Sequence, residues 1–161
     1  DALLPAMRRL KEDRRVRYLG ATTSRDEQYP ALLAAMRAQP LDFVQVDYSI
    51  ANRNVAAEVL PLAAERGVAV LVNMPFVGGR DGNLLRKLGE RPLPPWAKEI
   101  GAGSWAEVLL KYVVSHPAVT CAIPGTTSIR NVETNLRAAQ GPLPDAAMRR
   151  RMEDDWDALE A

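Results

Sequence analysis

Four times along this chain a short apolar run is followed by a helical pattern, and that alternation limits the fold more than any other feature. The runs are VRYLG (Val16–Gly20), FVQVDY (Phe43–Tyr48), VAVLVN (Val68–Asn73) and TCAI (Thr120–Ile123). Strand, helix and strand in strict succession imply right-handed crossovers and a parallel sheet. VAVLVN is apolar almost throughout, which predicts a strand covered on both faces. Two architectures meet these demands: an open four-stranded α/β sheet, or part of a (β/α)8 barrel. A whole barrel usually needs about 200 to 250 residues. The chain has 161, so length alone favours the open sheet. No linker or low-complexity segment interrupts it, which predicts a single domain over residues 1–161.

Helix boundaries are marked by local chemistry. Ser24–Glu27 and Ser104–Glu107 read as capping boxes, in which Ser and Glu satisfy each other's free N–H groups. Gly67 is placed to end the second helix in the left-handed conformation, and Pro61 should kink or split that helix. MPFVGGRDGNLLRKLGERPLPP, starting at Met74, reads as a long irregular stretch of functional or mobile character. A last helix, about Asp145–Leu159, has no strand after it. The chain opens without Met directly on DALLPAMRRLKEDRR, already helical in pattern, so its beginning reads as cut, without start, signal or pro-segment.

Composition excludes several classes of function. The formal net charge is +1, and the arginines at Arg14, Arg15, Arg17 and Arg149–Arg151 lie beside acids, as solvated faces do. That leaves no electrostatic footprint for nucleic acid or an anionic membrane. No run approaches the ~18 apolar residues of a spanning helix. A lone Cys121 and a lone His116 give no internal disulfide and no metal cluster. The expected location is cytoplasmic, with export left open because the true N-terminus is absent.

CAIPGTTSIRNVETNLRAA (Cys121–Ala139) delivers hydroxyls and backbone N–H groups to the positive end of a helix, an arrangement that suits a phosphate. The alternative is an ordinary N-cap, with Ser128 accepting from the N–H of Asn131.

RYLGATTS, LDFVQVDYSIANR, GVAVLVNMPFVGG and CAIPGTTSIRNVETNLRAA resemble, in order and spacing, the second half of the aldo-keto reductases. The resemblance implies a (β/α)8 TIM barrel, of which this chain holds the C-terminal four β/α units and a C-terminal helix. It also implies NADPH bound in extended form, with NAD as the other compatible cofactor, and a small carbonyl compound as substrate of the intact protein. By the same resemblance Gln45 and Thr22 hold the nicotinamide carboxamide, and Pro75, Phe76 and Gly79 pass the pyrophosphate. Gly125, Thr126, Thr127, Ser128 and Asn131 form the turn for the adenosine 2′-phosphate, and Asn135 contacts the adenine.

Departures from the family pattern accompany these matches. Gly125 stands where many members carry Lys or Arg, and Asn131 where they carry Arg, the nearest cation being Arg130. That puts a preference for NADPH over NADH in question. Asn73 replaces the aromatic that often stacks on the nicotinamide. The family's catalytic Asp, Tyr, Lys and His belong to the first four strands, which would precede Asp1. Tyr18 reads as core, Tyr48 as a non-catalytic aromatic, and His116 as a helix-terminus partner, so no catalytic residue is assigned. The chain alone is expected to be inactive and to need its N-terminal half, or to self-associate through exposed sheet edges. Two alternatives remain: a natural half-barrel that binds nucleotide or a protein partner without catalysis, and an unrelated small α/β binding module.

Overall fold

A computed structural model describes residues 3–77 and 82–160. Strands β1 (Gly20–Thr22), β2 (Phe43–Asp47), β3 (Ala69–Asn73) and β4 (Cys121–Ala122) form one parallel sheet in the order β1-β2-β3-β4. Each strand therefore lies beside its predecessor. An open doubly wound sheet reverses strand order at its switch point, whereas a barrel never does. Burial points the same way. Val44, Val46, Val70 and Val72 are fully buried in the core shared with the helices, while the alternate residues Phe43, Gln45, Ala69 and Leu71 are only partly buried. The helices cover one face of the sheet. VAVLVN is thus not covered on both sides within this chain, as its composition predicts, because its inner face belongs to a barrel interior that four strands leave half built.

The helices are α1 (Leu3–Glu12), α2 (Tyr29–Ala38), α3 (Val59–Arg66), α4 (Leu84–Leu88), α5 (Trp105–Val114), α6 (Ile129–Arg137) and α7 (Ala146–Glu160). Gly67 closes α3 at φ 64°, ψ 28°, as predicted. Pro61 splits the predicted helix into a 3-10 turn, Asn54–Ala56, and α3. Ser104 caps α5 by accepting from Glu107 N–H at 3.3 Å, and Glu107 reaches back to the N–H of Gly103 at 2.6 Å. The box at Ser24 does not form. Thr23 takes over that turn, accepting from Arg25 N–H, and α2 begins only at Tyr29 after the 3-10 turn Asp26–Gln28. The stretch read as irregular contains α4, whose N-cap Asn83 accepts from the N–H groups of Leu85 and Arg86.

The first strand lies later than its apolar run suggests. Leu19 N–H donates to the Asp42 carboxylate at 2.8 Å, and Leu19 carbonyl accepts from Asp42 and Phe43 N–H. Those bonds register Gly20 against Phe43 and leave Val16–Tyr18 outside the sheet. A Cβ at Gly20 would fall 2.9 Å from the Phe43 carbonyl oxygen, so only glycine allows the approach. Tyr18 is exposed rather than core, resting edge-on against the Phe43 ring at 5.6 Å.

Candidate functional site

Register places Thr22, Gln45, Leu71 and Cys121 in one row across the inner face of the sheet. Inner-face residues of parallel strands at equal register project side by side, so the row follows from pairing alone. Within it the Gln45 amide nitrogen donates to the Thr22 hydroxyl at 3.3 Å. The two residues assigned to the carboxamide are thus brought together, and the Gln45 amide oxygen remains as an acceptor beside them.

Beyond the row, the loops after β2 and β3 are fixed to each other. Asp47 accepts from the Tyr29 hydroxyl at 3.0 Å and from the Asn52 side chain at 2.5 Å, and Ser49 donates to the Val77 carbonyl at 2.8 Å. Burial, followed by hydrogen bonds to Asp26 and Asp47, pushes the Tyr29 hydroxyl far above the usual tyrosine range and keeps it a donor. Sequence reasoning passes over Asp47 and Asn52; their spacing around the Tyr48–Ser49 turn was the available signal. Met74 turns the chain at φ 53° at the end of β3. Pro75 is buried and Phe76 partly buried against the core, so both shape the loop from beneath. Gly79 lies outside the described residues.

After β4 the chain makes the turn singled out in the sequence. Ser128 caps α6, its hydroxyl 3.5 Å from Asn131 N–H, so the N-cap geometry forms. Thr126 hydroxyl accepts from Ser128 N–H and from the Asn131 side-chain amide, each at 3.2 Å. Thr126, Ser128 and Asn131 are brought together; Gly125 and Thr127 are exposed beside them. Among the described residues, the N–H groups of Ile129 and Arg130 find no acceptor. These two donors lie at the positive end of a nine-residue helix. A Cβ at Gly125 would meet nothing within 4 Å. Asn135, one turn along the same face as Asn131, lines an apolar hollow with Leu110, Cys121 and Leu136.

The titratable side chains of the helical layer are engaged elsewhere. Tyr48 and Tyr112 are buried with their hydroxyls 3.2 Å apart, Arg149 donates to the first, and the second donates to Glu153. Burial, reinforced by Tyr48, Glu153 and their hydrogen bonds, raises the Tyr112 hydroxyl far beyond the usual range. Lys111 spends its ammonium on the carbonyls of Gln140 and Pro142, and burial lowers its pKa. His116 lies just beyond the end of α5, but its ring accepts from Ala118 N–H in the following turn rather than donating to the carbonyls of that helix. None of the four tyrosines hydrogen-bonds a Lys or His among the described residues. No helix among the described residues is long and apolar enough to cross a membrane.

Known proteins share this fold. The Aldo/keto reductase family profile matches residues 1–153. A probable aldo-keto reductase 1 from Glycine max is 24% identical over 170 residues, covering 89% of this chain and 47% of that protein. Among solved structures, an aldo/keto reductase from Klebsiella pneumoniae in complex with NADP and acetate matches at TM-score 0.72. It is 24% identical, with 93% of this chain and 52% of that chain covered. The holo form of a Bacillus halodurans aldo-keto reductase matches at TM-score 0.69 and 23% identity, over 93% of this chain and 54% of that one. The chain spans about half the length of the relatives it matches. Its four sequential β/α units form half of a TIM barrel, and this chain belongs to the aldo/keto reductase family.

Proposed function

We propose that the protein containing this chain reduces an aldehyde or ketone to an alcohol with NADPH, and that this chain supplies the cofactor-binding half. One observation carries the reading. The groups assigned to nicotinamide (Thr22, Gln45), pyrophosphate (the loop from Pro75) and adenosine phosphate (Thr126, Ser128) follow one another along β1, β2, β3 and β4. Strands about 4.8 Å apart set the two ends of that track about 10 to 15 Å from each other. An extended dinucleotide has its parts in the same order. The polar pair at one end and the unpaired N–H groups of Ile129 and Arg130 at the other fit it chemically.

When bound, the cofactor supplies a hydride. This chain's residues hold and orient it: Gln45 and Thr22 fix the carboxamide, and the turn before α6 holds a phosphate. Gly125 and Asn131 bring no positive charge to that turn, so NADH is the second cofactor to test. The proton for the carbonyl oxygen is assigned to a group outside this chain: Tyr29, Tyr48 and Tyr112 are held by their own partners, and the exposed Tyr18 has no Lys or His hydrogen-bonded to it among the described residues. The chain alone therefore binds cofactor without sustained turnover. The edges of β1 and β4 and the exposed apolar residues of α6, Ile129, Val132 and Leu136, form the surface for an N-terminal half-barrel, or for a second copy in its absence.

Calorimetric titration with NADPH and NADH tests the reading. Thr126→Ala with Ser128→Ala should weaken NADPH binding about tenfold, or about 1.4 kcal/mol. No loss for either cofactor returns the stretch to a plain helix cap. Sustained NADPH oxidation by this chain with an aldehyde panel would overturn the assignment of half a site.

A further inference from the structure

All three tryptophans of the chain, Trp96, Trp105 and Trp156, line a single pocket of about 300 Å³. It lies in the helical layer, between the 3-10 turn Pro95–Lys98, α5 and α7. None of the residues assigned to cofactor lines it.

Two of the three indole N–H groups of this pocket are already used. Trp96 indole N–H donates to the Asp155 carboxylate at 2.5 Å, and Trp105 indole N–H to the Arg91 carbonyl at 2.8 Å. These bonds anchor two rings to α7 and to the segment before the 3-10 turn, so the ring faces are held in position. The floor is apolar, with Leu109 and Met152 both buried. The buried side-chain atoms without a partner among the described residues, Gln39 Oε1 and Asn73 Oδ1, belong to neither wall nor floor. Water placed here finds few of the two to four polar partners that hold a buried water. The rim carries one charge of each sign, Arg91 and Asp155, so no net field draws in an ion. A space of this volume is at the small end of ligand sites and takes one or two rings rather than a helix.

We infer that this pocket binds a flat, uncharged aromatic molecule of one or two rings, at a site separate from the inner face of the barrel. Stacking and edge contacts with fixed indoles provide the recognition, and the thioether of Met152 adds a polarizable surface.

The probe is 1-naphthol, titrated at neutral pH while tryptophan emission is followed. Every tryptophan of this chain lines the pocket, so emission corrected for the absorbance and fluorescence of naphthol reports on it, and the variants below separate binding here from energy transfer to naphthol bound elsewhere. Saturable quenching is expected, with a Kd on the order of tens of micromolar. Calorimetry should give about tenfold weaker binding for Trp105→Ala, which removes one ring. Leu159→Lys, a partly exposed change at the rim, should weaken binding too, and it decides alone if Trp105→Ala does not fold. Cyclohexanol, similar in polarity but not flat, should fail to displace the probe. Linear, unsaturable quenching would overturn the assignment, as would equal displacement by cyclohexanol or wild-type affinity in the folded variants. Saturation in this chain but not in the full-length protein would mean that a protein segment fills the pocket, and would overturn it too.

Discussion

Arg149 donates to the hydroxyl of Tyr48, 101 residues earlier in the chain, at 2.5 Å. The same guanidinium donates to the Tyr112 carbonyl and to the Ser115 hydroxyl, and lies 4.2 Å from the Tyr112 ring centroid. One cation thereby joins the end of β2, the end of α5 and helix α7. The sheet and the last helix are held as one body through this contact.

Replacing Arg149 by Met should therefore cost about 2 to 3 kcal/mol. The change leaves the Tyr48 hydroxyl and the Tyr112 carbonyl short of a charged donor in a largely buried setting. Urea unfolding reads the loss as a lower midpoint at unchanged slope. A change below about 0.5 kcal/mol would show that the contact contributes only geometry.

His116 makes the same region sensitive to acid. Burial first, then the nearby Arg149 charge, lowers its pKa from 6.5, with Glu153 opposing, and its ring meets Tyr48 edge-on at 5.7 Å. The unfolded chain consequently binds a proton at higher pH than the folded one. Stability is complete above the unfolded value and declines as pH falls from about 6.5 toward the lower folded value. Urea midpoints at pH 7.5 and 5.5 measure this, and His116→Gln should remove most of the difference. A midpoint that rises on acidification would contradict the sign.

How much of this could be read beforehand depends on what fixed each element. Gly67, Pro61 and Ser104 act on their own neighbours, and each does what local chemistry predicts. The start of β1 is set instead by Asp42, 23 residues from Leu19, whose carboxylate also takes the Lys11 ammonium; hydrophobic pattern carries no trace of that. VAVLVN misled for a related reason. An apolar strand reports that both faces are covered in the finished molecule, not that this chain covers them. The pairing of Gln45 with Thr22 follows from register, legible once the two strands are known to be neighbours. The tryptophan pocket was not legible, because its three rings come from segments with no common pattern.

Gly125→Arg tests the cofactor turn by addition. A Cβ there meets nothing, and no positive φ is recorded at this glycine, so the fold should tolerate the change. A guanidinium beside Thr126 should raise the NADPH-over-NADH affinity ratio about tenfold, the scale of one charge-assisted contact to phosphate. Calorimetry with both cofactors measures the ratio. An equal gain for NADH would mean that the new cation meets the pyrophosphate instead.

The exposed face of α6 should drive association. Sedimentation at micromolar concentration is expected to find self-associated species, and Ile129→Glu with Leu136→Glu should weaken that association, leaving the part carried by the strand edges. A cooperatively melting wild-type monomer would refute this. Cys121 gives an independent reading: it is exposed on the inner face, so alkylation should slow when an N-terminal half-barrel is added.

The strand order has a last consequence, for the way the chain is made. In a sheet ordered β1-β2-β3-β4, every strand after the first pairs with one already synthesised. The sheet can grow from its N-terminal side during translation, each β/α unit docking on the edge left by the unit before it, with no pairing that must wait for a distant segment. Within these four strands, folding is thus a process of addition.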